Sequence, residues 1–310
     1  MKNPDTAALQ SKIRELKEQR NAVLLAHNYQ LPEIQEVADF VGDSLELCRE
    51  AQRVESEAIV FCGVDFMAQS ACILNPDKTV IHPNTRARCP MAAQLSVKTL
   101  VEAKNAYPSV PVVLYVNTFA EAKAECDVTC TSANAVEVIK RLGSKKIIFG
   151  PDWNLGYYVK KRLPDVELIP VPDHGFCNTH RLFRDVERAK ELKRQYSDAE
   201  LLVHPECEPG FQETADSVLS TGGMYRYCRD SSTKEFIIAT EIGMIDRLRR
   251  EIPGKTFIPA EPHAECPTMK RITLMNTYEA LRDMAPVVTV PEDILIRALR
   301  PITRMLEMPA

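Results

Sequence analysis

Glycine is scarce in this sequence, 11 of 310 residues, and neither GxGxxG nor GxxxxGK[ST] occurs. The usual signatures of dinucleotide and P-loop nucleotide sites are therefore missing. No apolar stretch reaches the roughly 20 residues that cross a bilayer. Nor does an apolar run follow Met1-Lys2-Asn3-Pro4-Asp5, so no secretory signal is expected. A basic stripe is absent too: the net charge is −4, which argues against nucleic acid or an anionic membrane as partner. No segment is of low complexity. With 45% hydrophobic and 26% charged residues, the composition is that of an ordinary soluble protein. The length allows a large core, and the expected location is cytoplasmic. There the ten cysteines are not a disulfide framework; some pack as thiols and others hold metal.

What the sequence does contain is a long-period repeat. Cys89, Cys177 and Cys266 lie 88 and 89 positions apart, each after an apolar run ending in proline: Val80-Ile81-His82-Pro83, Leu168-Ile169-Pro170 and Phe257-Ile258-Pro259. Upstream of each, other features keep register. The apolar run 22–27 ends at His27, the run 112–116 leads to Asn117, and the run 199–203 leads to His204. Helix starts are expected at Asp43 or Ser44, at Thr131-Ser132 and at Ser220-Thr221. Second strands follow at 58–63, 147–150 and 236–239, then helices at 65–74, 152–162 and 241–251. Strands alternating with helices predict an α/β fold with parallel sheets covered by helices. The expected units are 1–103, 104–190 and 191–276, with C-terminal helices over 277–310, the last kinked or broken near Pro301 and packed on the first unit. The connections around 102–105 and 182–198 read as short charged linkers, the second opening as an amphipathic helix.

In parallel sheets the loops after the strands' carboxyl ends carry the ligand site. Three cysteines in equivalent loops would meet on a pseudo-threefold axis. Zinc favours four protein ligands in a structural site, or an open position with harder ligands in a catalytic one. Three thiolates match a [4Fe–4S] cluster with one iron free of protein ligands. The plain alternative is three loop cysteines without chemistry. Cys48, Cys62, Cys72 and Cys228 read as packed thiols; Cys126 and Cys130 as core thiols or a redox pair; Cys207 as a bystander.

His27, Tyr29, Tyr115, Asn117, His204 and Glu206 end equivalent strands. Spaced two apart, Tyr-x-Asn and His-x-Glu present their side chains on one face of an extended segment. Imidazole and carboxylate suit proton transfer, phenol and amide the orientation of a dicarboxylate; the alternative is hydrogen-bonded core residues. Ser44, Ser132 and Ser220-Thr221 combine a hydroxyl with free helix N–H groups, for an anion or as plain caps. His82, His174 and His263 precede the cysteines, as supporting donors or as solvated loop residues. Arg86 and Arg88 would neutralise an anion or lie exposed.

Taken together, several segments resemble the quinolinate synthase family, the A protein of bacterial and archaeal NAD biosynthesis. They are His27-Asn28-Tyr29, Gly42-Asp43-Ser44, Tyr115-Val116-Asn117-Thr118, Thr131-Ser132-Ala133-Asn134, Pro151-Asp152, His204-Pro205-Glu206-Cys207, Thr240-Glu241-Ile242-Gly243 and Cys266-Pro267-Thr268-Met269-Lys270. The likeness covers essentially the whole chain. It implies three αβα sandwich domains about a pseudo-threefold axis, with the active site on that axis. It further implies a [4Fe–4S] cluster on Cys89, Cys177 and Cys266, and condensation of iminoaspartate with dihydroxyacetone phosphate to quinolinate. Substrate contacts carried over are His27, Ser44, Tyr115, Asn117, Ser132, His204, Glu206 and Thr221. Catalytic roles carried over fall on Glu206, Tyr29, His27, His180 and His204. Transient contact with an iminoaspartate-producing enzyme is an implied partnership. Two departures stand out: Trp153 where the family has glutamine, and Ala264-Glu265 where some relatives carry cysteines. The rival readings are a zinc hydrolase and a non-catalytic iron or redox sensor.

Overall fold

The computed structural model describes residues 4–308. Twelve strands form among them: β1 Ala22–His27, β2 Phe40–Gly42, β3 Ala58–Cys62, β4 Thr79–Ile81, β5 Val112–Tyr115, β6 Val128–Cys130, β7 Lys146–Gly150, β8 Glu167–Pro170, β9 Glu200–Val203, β10 Ser217–Val218, β11 Glu235–Ala239 and β12 Thr256–Pro259. They build three four-stranded sheets with one strand order, β2-β1-β3-β4, β6-β5-β7-β8 and β10-β9-β11-β12. Every pairing within them is parallel.

The central strands are apolar because both of their faces are covered. Alternate side chains enter different cores. Val23, Leu25, Ile59 and Phe61 face one core, while Leu24, Ala26, Val60 and Cys62 face another. The other sheets divide likewise. Val113, Tyr115, Ile147 and Phe149 join the first core, as do Leu202, Phe236 and Ile238. Their alternates enter two separate outer cores. One face of each sheet therefore meets a common centre. Fully burying one such aliphatic side chain stabilises by about 1.5–3 kcal/mol.

Each edge strand β2, β6 and β10 follows an aspartate that ties it to its neighbour. The Oδ2 atoms of Asp39, Asp127 and Asp216 accept the N–H groups of Leu24, Val112 and Leu201 at 2.7, 2.8 and 2.8 Å. These edge strands, two or three residues long, were not foreseen; they are too short to show a period.

The 182–198 connection carries the helix expected of it, whereas the 102–105 connection, read as a linker, is also helical. Helices Val97–Ala106, Val186–Gln195 and Leu274–Asp283 run through positions 103, 190 and 276. Each is N-capped by its preceding residue: Ser96, Asp185 and Thr273 accept the N–H groups of Thr99, Arg188 and Asn276. Helix Leu274–Asp283 packs on Pro4–Gln19, while Glu292–Leu306 packs on β6, Ala120–Lys123 and Asp65–Leu74. The last helix thus bridges the first and second sheets rather than resting on the first alone. Nor does Pro301 end it: Pro301 is buried and its carbonyl accepts the Thr129 hydroxyl at 3.2 Å. No helix among the described residues is long and apolar enough to cross a membrane.

Candidate active site

The carboxyl ends of the central strands surround one cavity of about 640 Å³, its mouth included. All thirteen residues that the family resemblance assigns to the site line it: His27, Tyr29, Ser44, Cys89, Tyr115, Asn117, Ser132, Cys177, His180, His204, Glu206, Thr221 and Cys266. Asp43, Thr131 and Thr179 join them, with Val64, Phe66, Met67 and Met269 as an apolar wall.

The cysteines share one local design. Each opens a helical turn, in which the carbonyls of Cys89, Cys177 and Cys266 accept the N–H groups of Ala93, Arg181 and Lys270 at 3.2, 2.9 and 3.1 Å. A short 3-10 segment begins three residues after each, at Ala92, His180 and Met269. Such a turn aims free N–H groups at the sulfur, an arrangement that favours thiolate. The Ala92 and His180 backbones bond the sulfurs of Cys89 and Cys177. All ten cysteines are free. Burial pushes the Cys89 and Cys177 thiols up, Cys266 raises both further, and Cys89 adds to the rise at Cys177. Three thiols converging in one buried cavity, unpaired by any disulfide, fit a soft metal centre that takes thiolates and releases their protons. A second donor set overlaps this one: Cys177, His180 and Glu206 offer ligand atoms within 4.8 Å of one another.

Two histidines are built alike. His27 Nδ1 accepts the N–H of Tyr29 at 3.1 Å, and His204 Nδ1 accepts that of Glu206 at 3.3 Å. Nδ1 is thereby unprotonated, and Nε2–H is left as the donor. Burial pushes both imidazoles down to about 3, so both are neutral at ordinary pH.

Glu206 is the ionised centre of the site. Its Oε1 accepts the Tyr115 hydroxyl at 2.5 Å, and its Oε2 lies 2.6 Å from His180 Nδ1. Burial works against its charge, but His180, by charge and hydrogen bond, overrides it with the help of the Tyr115 hydroxyl, holding the carboxyl at about 2. On its far side His180 Nε2 meets Thr240 Oγ1 at 2.9 Å, and Thr240 Oγ1 meets the Tyr29 hydroxyl at 2.7 Å. Burial and the Glu206 charge push both tyrosines well above their ordinary range, so Tyr29 and Tyr115 carry their protons. Thr240 completes this chain. Its segment stood in the sequence without a role, because the partners are 211 and 60 positions away.

The polar walls are sorted by the caps. Asp43, not Ser44, caps its helix, leaving the Ser44 hydroxyl on the cavity wall. Ser220 caps Gly223 and bonds Asp43, whereas Thr221 faces the cavity, its hydroxyl accepting from Asn28 at 2.8 Å. Ser132 does not start a helix as expected. Thr131 and Asn134 close a turn at 2.8 Å and the helix begins at Ala135, so Ser132 sits on the turn. Asn117 Oδ1 is buried with no partner among the described residues. Of the other histidines, His82 is a core residue bonded to the Gly63 carbonyl at 2.8 Å, and His174 and His263 are exposed. Arg86 and Arg88 are exposed as well. Cys130 lies on β6 and Cys126 in the turn before it. Burial pushes Cys48, Cys62 and Cys126 up to about 12, as expected of packed thiols.

Residues 11–307 match the family model described as quinolinate synthetase A protein. Relatives named quinolinate synthase include one from Pyrococcus furiosus, 55% identical over 97% of this chain and 98% of its own. Others come from Geobacter sp., 52% identical over 97% and 98%, and Methanothermobacter thermautotrophicus, 51% identical over 97% and 98%. Among solved structures, the E-1-hydroxy-2-methyl-but-2-enyl-4-diphosphate reductase from Plasmodium falciparum aligns over 92% of this chain and 85% of its own. It does so at 13% identity with a TM-score of 0.28, too low to bear on the fold. The match over nearly the full length shows that this chain belongs to the quinolinate synthase family and is an enzyme.

Proposed function

We propose that this enzyme condenses iminoaspartate with dihydroxyacetone phosphate, losing phosphate and two waters, to give quinolinate. The observation that carries the proposal is the placing of an ionised, doubly bonded Glu206 in the same cavity as three free cysteines from equivalent loops. On this reading three units, 1–103, 104–190 and 191–276, stand about a pseudo-threefold axis, and the cavity lies on it. Support comes from the common strand order and the shared central core.

Cys89, Cys177 and Cys266 would hold a [4Fe–4S] cluster. When bound there, it supplies a Lewis acid, an iron without a protein ligand, which polarises a substrate oxygen. The chain's own groups do the rest. His27 and His204 donate from Nε2–H to a carboxylate without adding charge. The hydroxyls of Ser44, Ser132 and Thr221 bind a second carboxylate or the phosphate. Asn117 Oδ1 has an open lone pair for the imine N–H. Glu206 removes the proton from the iminoaspartate carbon that attacks, and His180 stabilises its charge until then. The chain Tyr29–Thr240–His180 returns protons to departing hydroxyls. The apolar wall of Val64, Phe66 and Met67 keeps bulk water from a reactive imine.

A single ion on Cys177, His180 and Glu206 is the second reading, favoured by their 4.8 Å grouping. It would take Glu206 away from proton transfer. Glu206→Gln separates the two. Under the condensation reading the variant keeps its iron and loses quinolinate formation by more than about 100-fold. Undiminished quinolinate formation would remove Glu206 from the mechanism, and loss of the metal would make it a ligand.

A further inference from the structure

A carboxylate stands behind each of the three cysteines. Asp65 follows β3, and its Oδ1 accepts the N–H of Cys89 at 3.0 Å and that of Phe66 at 2.9 Å. Glu241 follows β11, with Oε1 accepting the N–H of Cys266 at 3.0 Å and Oε2 that of Gly243 at 2.7 Å. Asp152 follows β7; its Oδ1 accepts the Leu155 N–H at 2.7 Å, while its Oδ2 is buried with no hydrogen-bond partner among the described residues. The offsets from acid to cysteine are 24, 25 and 25 positions. Asp152 and Glu241 are almost wholly buried. Burying a carboxylate costs several kcal/mol unless its acceptors are used.

We propose that Asp65 and Glu241 are positioning residues, each aiming the thiol of its own loop by accepting the cysteine's backbone N–H. Fixing that N–H fixes the direction of the cysteine's Cα–Cβ bond, and so where the sulfur points. Two equivalent clamps, on the first and third sheets, hold the Cys89 and Cys266 loops, and the loop of Cys177 is tied between them through Gln94 to Phe176 at 3.0 Å and Thr179 to Glu265 at 3.4 Å. Glu241 reaches further than its counterpart. Lys270 Nζ bonds Glu241 Oε1 at 2.8 Å and the Tyr29 carbonyl at 2.7 Å, joining the third cysteine loop to the segment that carries Tyr29. Gly243 makes room for this knot: a Cβ there would meet Glu241 Oε2 and the Tyr29 carbonyl carbon, both at 2.9 Å.

The acids differ in what they need. Asp65 uses one oxygen for both N–H groups; the other pairs with exposed Arg88 at 3.2 Å, which contributes little. Asparagine can therefore replace it. Glu241 uses both oxygens as acceptors, so glutamine would turn an NH2 group against an N–H.

What the sulfurs hold rests on the cluster reading above; where they point does not. The test therefore has two arms on Asp65→Ala, Asp65→Asn, Glu241→Ala and Glu241→Gln. In the apo-protein, amide hydrogen exchange at Cys89 and Cys266 is measured, with melting curves as a fold control. After anaerobic reconstitution, the rate of iron loss to a chelator is measured. Asp65→Ala should speed Cys89 exchange, and iron loss by about 10–100-fold. Asp65→Asn should stay within about twofold of the parent in both, and Glu241→Gln should behave like Glu241→Ala. If Asp65→Ala does not fold, the contrast between Asp65→Asn and Glu241→Gln decides alone. The proposal is overturned if Asp65→Asn is as impaired as Asp65→Ala, which would make charge the operative feature, or if Glu241→Gln is normal. Should the parent itself take up no iron, the cluster reading fails, and the exchange arm still judges the clamps.

Discussion

Acidification from pH 7 to pH 5 should destabilise the apo-protein by about 4 kcal/mol through two histidines. His27 and His204 are buried and neutral in the fold, at about 3, against about 6.5 in an unfolded chain. Between those values the unfolded state binds the extra proton, so stability rises with pH through the window. The contribution is complete above about 6.5 and shrinks as the pH falls toward 3. At pH 5 an unfolded histidine is almost fully protonated while the native one is not, a difference of about 2 kcal/mol per residue. His82, also lowered by burial, acts in the same direction. Glu206 does not confound the window: its depressed value, about 2, matters only below the unfolded carboxyl range near 4.3. The assay is urea unfolding of metal-free protein at pH 7, 6 and 5, comparing the parent with His27→Asn/His204→Asn. Asparagine keeps an acceptor near the Nδ1 position but does not titrate. The parent should lose about 4 kcal/mol more than the double variant over this range. Identical pH dependence in the two would refute neutral burial of these imidazoles.

Two further outcomes follow from the same geometry. Tyr115→Phe removes the hydroxyl on Glu206 Oε1, so turnover should fall by about 10–100-fold with the metal content unchanged. Because that hydroxyl helps hold the carboxyl low, the acid limb of the pH–rate profile should move to higher pH; an unmoved limb would separate Tyr115 from Glu206. Gly150→Ala should cost more than about 3 kcal/mol, since its Cβ would lie 1.6 Å from the Val171 carbonyl oxygen between β7 and β8. A variant melting with the parent would contradict that packing.

Much of this arrangement was legible in the sequence, for a physical reason. Parallel strands covered on both faces must be apolar along their length, so β1, β5 and β9 stood out, and so did the polar residues that end them. Cysteines in register told where the third loops lie. The unforeseen features are those that depend on long-range contact. Strand β10 is two residues long and is held by its pairing with β9 and by the bond of Asp216 to Leu201. Thr240 acquires its place from Tyr29 and His180, and Asp65 from Cys89, partners that no local period reveals. The same limit explains Ser132: Asn134, by bonding back to Thr131, delays the helix past the expected start. His82, His174 and His263 lie close before the cysteines yet do not line the cavity, because position along a loop does not dictate where a side chain points.

The most direct test is iron and acid-labile sulfide per chain in anaerobically prepared protein, alongside Cys89→Ala, Cys177→Ala and Cys266→Ala. One [4Fe–4S] cluster per chain is expected in the parent, lost or degraded in each single variant. Zinc as the sole metal, or a full cluster surviving removal of any one of these thiols, would contradict a centre held jointly by the three loops.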